Sequence, residues 1–327
     1  MRRQRLWPIF ALFAVAACGL GIIAANAQSY PSRSITFIVP NLPGGSSDLI
    51  ARAVGAQLQQ SLGQPVVIDN KPGASEMLAT EALSRATADG YTIAVLSNAL
   101  SINETLSPGR KYDAQRDLIG VAQLAELPFA LIVSADLPVR SLQEFVAYAK
   151  AHPGELSYGH VGVGAPHYLT MEWFKRVAGL DILAVPYRSS APVYTALLAG
   201  QIQVTVGALG GATQFIESGK VRALASMSKR RPISQPNLPT VSEAGYPEFD
   251  LVPWMGVFAP VHTPVDTVRK LEREILDAAQ SPNVRDQLQH SGLEASALGT
   301  SEFGGRVKHD IARWAEVIRA LGVSLQP

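Results

Sequence analysis

The feature that most narrows the possible folds is an alternation that runs along nearly the whole chain. Short β-branched runs, most of them closed by a turn bearing glycine, serine or proline, take turns with segments of helical period. A strand followed by a helix returns to its sheet in parallel, so this grammar predicts βαβ units. Residues 34–40 (SITFIVP) read as the first strand. Leu49, Ile50, Ala53, Val54, Leu58 and Leu62 then recur at helical spacing and stop at Gly63. Residues 65–69 (PVVID), a helix over 77–85 and residues 91–96 (YTIAVL) complete a first doubly wound half. The pattern restarts near Leu131, with strands expected at 131–133, 156–161, 182–187, 203–209 and 221–228 and helices at 142–151, 168–177 and 192–199. Amphipathic helices over 266–279 and 302–321 are expected to return and cover the first half.

The expected class is therefore α/β, with two doubly wound lobes joined by a two-crossing hinge. Lobe 1 is discontinuous, 28–129 and 251–327, and lobe 2 is 130–250. The crossings fall near 127–130 and 249–254. Residues 1–27 stand apart from this organisation. Arg2, Arg3 and Arg5 precede an almost wholly apolar stretch over 6–24, and Ala25-Asn26-Ala27 is an A-x-A cleavage site, so the segment reads as an export signal cleaved after Ala27 into the periplasm. Cys18 offers a second reading, a lipoprotein box, which would leave an apolar stub on the mature chain. Setting 27 residues aside from 327 leaves 300, more than one core usually serves. Cys18 is the sole cysteine, so disulfides, thiolate metal sites and cysteine nucleophiles are excluded from the folded body. A net charge of +1 with 17% charged residues carries no electrostatic footprint for nucleic acid. No cofactor or metal site is expected, and the chain reads as a monomer.

Candidate binding groups cluster where strands end. Pro43-Gly44-Gly45-Ser46-Ser47-Asp48 joins a buried strand to a helix. Glycines let the backbone approach a ligand closely, and the helix start presents unpaired N–H groups and a positive dipole end, which suits an anion. Capping of that helix by Ser47 or Asp48 is an equally good account. The loop over 70–76 (NKPGASE), with Gly73, and the pair Ser97-Asn98 leave neighbouring strands at the same sheet end, where open α/β sheets form crevices. In the second half, His160, Gly162, Val163, Gly164 and His167 lie on a strand-to-helix turn of the same kind. The two histidines lack a nearby carboxylate to complete a metal site, so one ligand contact and one packed histidine is the preferred reading. Trp254 stands at a lobe crossing, either stacking on a ligand or packing the hinge. G-x-S-x-G, H-E-x-x-H and Walker phosphate-loop motifs are all absent from the sequence.

With these residues placed, the chain resembles the Bug family, the substrate-binding proteins of tripartite tricarboxylate transporters. The resemblance covers about residues 30–323 and rests on YPSRSITFIVP, PGGSSD, GQPVVIDNKPGA, ADGYTI, PGELSYGHVGVGAPH, VPYRSSAP, GKVRALA and NLPTVSEAGYP. It implies a type II periplasmic binding protein fold that closes around a small carboxylate ligand, held mainly by backbone N–H groups, small hydroxyls and water. It also implies membrane subunits of a tripartite transporter as partners. By motif it implicates Gly44, Gly45, Ser46, Asp48, Gly73, Ser97 and Asn98 from the first lobe. From the second it implicates His160, Gly162, Val163, Gly164 and His167, with Ser189, Ser190, Gly207 and Ala208. Two departures stand out. PGASEM replaces the usual PGAGGN and brings Glu76 beside the expected anion site, and HVGVGAPH replaces SAGNGSSQH and loses small polar groups. The far end of the ligand is therefore expected to be less polar, or cationic and met by Glu76. Three rivals follow from the sequence: a hydrolase or isomerase using Ser46 or His160, a regulator's sensing domain, and a receptor serving a membrane sensor kinase.

Overall fold

The first sheet is assembled around β1 (Ile35–Val39), whose ITFIV sequence is buried along nearly its whole length. A central parallel strand is covered on both faces and so reads as a continuous apolar run. In the computed structural model, which describes residues 30–247 and 249–324, β1 pairs in parallel with β2 (Val66–Asn70) and β3 (Thr92–Ser97). Helix α1 (Ser46–Leu62) connects β1 to β2 and stops at Gly63, whose φ of 67° lets its N–H reach the Gln59 carbonyl. A 3₁₀ turn (Ala74–Glu76) and α2 (Met77–Ser84) lead on to β3, which is followed by α3 (Ala99–Leu106) and the short α4 (Ala114–Asp117). Three further strands, β4 (Leu118–Glu126), β10 (Trp254–Pro260) and β11 (Glu294–Gly299), complete the order β11-β4-β10-β3-β1-β2.

The second sheet has the order β7-β6-β8-β5-β9, from β5 (Phe129–Ser134), β6 (Ser157–His160), β7 (Leu183–Pro186), β8 (Val204–Ala208) and β9 (Val221–Ser226). Helices α5 (Leu142–Ala151), α6 (Pro166–Ala178), α7 (Ser190–Leu198) and α8 (Leu209–Glu217) connect them. Parallel pairing holds for β6 with β7 and β8, the mirror of β1 with β2 and β3. This is the α/β class expected, with helices dressing two sheets. Both sheets are nevertheless mixed rather than largely parallel. β4 ends in the first sheet at Glu126 and β5 begins in the second at Phe129, so only Leu127 and Pro128 span the gap. The chain comes back through Pro253 and enters β10 from the cleft end, which forces β10 to run antiparallel to both β3 and β4. The two crossings are bonded to each other, the Leu127 N–H donating to the Pro253 carbonyl at 2.8 Å. Both sheets belong to one compact unit that begins at Arg33.

After β10 come α9 (Val265–Gln280), α10 (Pro282–His290), β11 and α11 (Thr300–Leu321). The closing helices are expected to cover the first half, and α11 reaches the second as well. Phe303, Val307 and Ile311 pack into the core of the first sheet, whereas Trp314, Val317 and Ile318 are buried in the core under the second. Phe303 also explains two glycines. A Cβ at Gly120 or Gly256, on the adjacent strands β4 and β10, would come within 2.8 or 2.3 Å of its ring. The expectations for residues 1–27, cleavage after Ala27 and the Cys18 box included, lie outside the described residues.

Candidate functional site

The parallel strands of each sheet aim their carboxyl ends at the gap between the sheets, and the helices that follow them begin there. A cavity of about 470 Å³ lies at this junction. Ser46, Ser97, Asn98, Trp254 and Met255 line it from the first sheet, and His167, Ser190, Tyr194, Gly207 and Ala208 from the second. Much of the remaining wall is apolar, including Phe129, Val161, Val193 and Val206. A second cavity of about 960 Å³ adjoins it, sharing Ser97, Val161 and Pro166. Gly44, Gly45, Gly73 and Glu76 lie on one side of this larger space and Gly162, Val163 and Gly164 on the other. No lysine or arginine lines either cavity among the described residues.

Polarity therefore comes from dipoles. Helices α1, α3, α6, α7 and α8 begin at Gly45, Asn98, Ala165, Ser189 and Ala208, none of which caps its helix with its own side chain, although the Ser97 hydroxyl accepts the first N–H of α3, that of Ala99, at 3.2 Å. Their first N–H groups form the positive ends of five helices around one space. Asn98 adds a side-chain donor. The residue lines the smaller cavity and is 2% exposed, its backbone N–H donates to the Trp254 carbonyl at 3.2 Å, and its Nδ2 is buried without a partner. A buried amide without a partner costs free energy, so such a group asks for an occupant.

Other expected site residues serve the frame. Asp48 does not reach either cavity. Its carboxylate accepts from the Gly44 N–H at 2.9 Å, Arg52 Nε at 2.8 Å and Asn70 Nδ2 at 2.9 Å, which shapes the glycine turn. Burial raises its pKa, but those donors and the Arg52 charge overcome that effect and hold it at about 2. His160 is packed between Tyr158 and Tyr168, with ring centroids 5.7 and 4.8 Å away, and its Nδ1 accepts the Gly162 N–H at 3.1 Å. His167 is the histidine at the cavity wall. Its Nε2 accepts the Val161 N–H at 3.2 Å, which leaves the ring proton on Nδ1, and burial together with the neighbouring His160 holds its pKa at about 4. Ser189 is exposed and lies off the wall, one residue before Ser190. Trp254 lines the cavity, while its Nε1 donates to Asp310 and its ring packs on Phe258 and Phe303 in the core of the first sheet.

Sequence reasoning missed the turn between α10 and β11. Ser291 and Leu293 line the smaller cavity, and Gly292 backs so closely onto Gly210 of α8 that a Cβ there would lie 2.1 Å from the Gly292 Cα. Next to it the Glu294 carboxylate accepts from the Ile233 N–H at 3.0 Å, the Ser234 N–H at 2.8 Å and the Ser234 hydroxyl at 2.6 Å. The first lobe thus grips the second through a segment that carries no recognisable motif.

Two sheets, a double crossing and a shared cavity ringed by helix starts define a solute-binding protein of the two-lobed type. The particular family follows from similarity: a profile described as "Tripartite tricarboxylate transporter family receptor" matches residues 50–323, and the chain belongs to that receptor family. It is 35% identical over 329 residues to protein BugT of Bordetella pertussis, covering all of both chains. Among solved structures it resembles R. palustris Rpa4515 with adipate at 32% identity and a TM-score of 0.74, covering 90% of this chain and 100% of that one. It also resembles MatC (Rpa3494) from Rhodopseudomonas palustris with bound malate at 31% identity and a TM-score of 0.69, covering 88% of this chain and 100% of that one. This is a family of solute receptors rather than of enzymes. Among the described residues no helix is long and apolar enough to cross a membrane, and no three metal-ligating side chains cluster.

Proposed function

We propose that the chain is an exported receptor that captures a small carboxylic acid in the 470 Å³ cavity and presents it to the membrane subunits of a tripartite transporter. The observation that carries this reading is Asn98, whose buried Nδ2 has no partner and which lines a cavity onto which five helix starts converge, four of them with no side-chain cap. Dipolar donors of this kind hold an anion without a counter-charge, because each N–H is already oriented and loses little freedom on binding. The carboxylate sits against Ser46, Asn98 and Ser190, and the apolar wall takes the rest of the molecule. Adipate and malate in the two relatives belong to the same chemical class. Contacts from both lobes make the acid favour the closed arrangement by differential affinity. The positive start at Arg2 and Arg3 and the A-x-A site at 25–27 support export to the periplasm with Gln28 as the mature N-terminus.

A thermal-shift screen of straight-chain, hydroxy and aromatic acids tests the reading. An acid at about 100 times its dissociation constant adds about 2.7 kcal/mol, a rise of several degrees in melting temperature. No response to any acid removes the carboxylate assignment. N-terminal sequencing of the protein from a periplasmic extract checks the cleavage site.

A further inference from the structure

The segment after β2 is held in an unusual conformation. Ala74, Ser75 and Glu76 have φ of 49°, 52° and 73°, three consecutive residues with side chains in the left-handed region that glycine normally occupies. Such a run persists only where its surroundings impose it. Asn103 Nδ2 donates to the Ser75 carbonyl at 2.8 Å and Thr80 Oγ1 to the Glu76 carbonyl at 3.0 Å, pinning the turn. The result is to deliver the Glu76 side chain across to the end of β3. There Oε2 accepts the Ser97 N–H at 2.9 Å and Oε1 accepts the Ser97 hydroxyl at 2.8 Å.

An amide and a hydroxyl at a strand's carboxyl end, converging on two oxygens of one carboxylate, is the way a bound acid would be seated. Here the acid is the protein's own. We propose that Glu76 is a resident anion: it fills the seat at Ser97, reserves the adjoining 960 Å³ space for a neutral part of the ligand, and so selects acids with one carboxylate over acids with two. The inference rests on the carboxylate reading above and narrows it. Its electrostatic basis is simple. Among the described residues Glu76 is the single ionisable side chain on the wall of the larger cavity, and with no lysine or arginine there a second carboxylate would meet a like charge and no compensation. Burial pushes the Glu76 carboxyl upward, and the Ser97 N–H and hydroxyl, which favour the anion, oppose that shift. Because each Glu76 oxygen already accepts a donor from Ser97, a neutral group is the assigned occupant of the adjoining space rather than the cationic one that the sequence also allowed.

Isothermal titration of the mature chain with two pairs of equal length, hexanoate with adipate and butyrate with succinate, tests the proposal. The unaltered protein is expected to bind the monoacid of each pair at least tenfold more tightly. Glu76→Gly, which suits a φ of 73° and empties the seat, is expected to shift the monoacid-to-diacid ratio at least tenfold toward the diacid. Glu76→Gln, of the same shape without the charge, is expected to shift it in the same direction by less and provides the test if the glycine variant does not fold. A ratio unchanged within twofold in both variants, or an unaltered protein that prefers the diacids, overturns the role of Glu76 alone. Failure of all four acids to bind every form overturns the carboxylate reading and this inference with it.

Discussion

At the start of α5 the Ser141 hydroxyl accepts the Glu144 N–H at 3.1 Å, and at the start of α4 the Asp113 carboxylate accepts from Gln115 and Arg116 at 3.0 and 2.9 Å. Ser281 does the same for α10, and Glu272 takes the Thr300 N–H at the head of α11 at 2.8 Å. Around the cleft, no side chain performs this service for α1, α6, α7 or α8, and α3 has only the neighbouring Ser97 hydroxyl, which accepts the Ala99 N–H at 3.2 Å. Outside it, the exceptions among the described residues are α2, which follows Glu76 without a side-chain cap, and α9. Helix α9 begins at Pro264 without a side-chain cap but carries Asp266 in its first turn. A cap is worth about 1 kcal/mol, so four bare starts forgo several kcal/mol of stability in one place. The contrast teaches that helix ends can be read as a map: donors are closed where only folding matters and left open where a guest supplies the acceptor.

The sharpest way to break this contrast is to stop the lobes from meeting. Gly210→Val places side-chain atoms where the Gly292 backbone lies, so the variant is expected to fold but to lose measurable affinity for any acid that the screen identifies. Retained affinity, measured by calorimetry, would mean that the bare helix starts of one lobe suffice. The next effect is one of pH. Burial holds His167 at about 4, below its ordinary 6.5, so on acidification the unfolded chain takes up a proton before the folded one does. Stability should therefore fall as pH drops from 6.5 toward 4, by on the order of 3 kcal/mol from this group. Asp310 acts in the opposite sense. Burial raises it to about 6 from 3.8, so the folded form holds the extra proton in that window and its contribution declines as pH rises through it. His167→Gln, which retains an acceptor for Val161, should flatten the acid limb in denaturant titrations at several pH values, leaving the Asp310 trend.

A smaller effect separates binding from folding. Asn98→Ala should weaken binding of the acid by about 10- to 100-fold, the range for a hydrogen bond to a charged group. The melting temperature of the free protein should hardly fall, because the deleted Nδ2 has no partner to lose. Ser141→Ala should do the reverse, costing about 1 kcal/mol in chemical denaturation and leaving affinity unchanged. The mildest test closes an open start: Ala165→Ser gives α6 a cap, with an expected gain of about 0.5–1 kcal/mol in stability and a few-fold loss of affinity.

The outer sequence of strands and helices was legible because burial writes itself as apolar runs. α1 ending at Gly63 and α5 over Leu142–Ala151 fall where the periodicity put them. β4 was not legible at all, although it is a nine-residue strand next to the hinge. Its LIGVAQLAE sequence is poor in β-branched residues, and its Gly120 must admit the Phe303 ring. β11 (EASALG) is an edge strand with polar and small residues and gave no apolar run either. At the site, the glycine turns and strand ends showed in sequence because they are consecutive. The role of Asp48 as a frame, the packed state of His160 and the grip of the Ser291–Glu294 turn did not. Each depends on a partner far along the chain, and a local pattern holds no trace of such partners.

Helix α11 is anchored in both cores at once, Phe303 at one end and Trp314 near the other. At about 1.5 Å per residue its 22 residues make a splint roughly 33 Å long. The halves of the molecule cannot swing apart freely while that splint holds both. Parting them must either twist about its axis or peel its last turns away from the second core. Peeling would carry the indole of Trp314 from an apolar bed into water, so the emission of that one fluorophore distinguishes a twisting receptor from a gaping one.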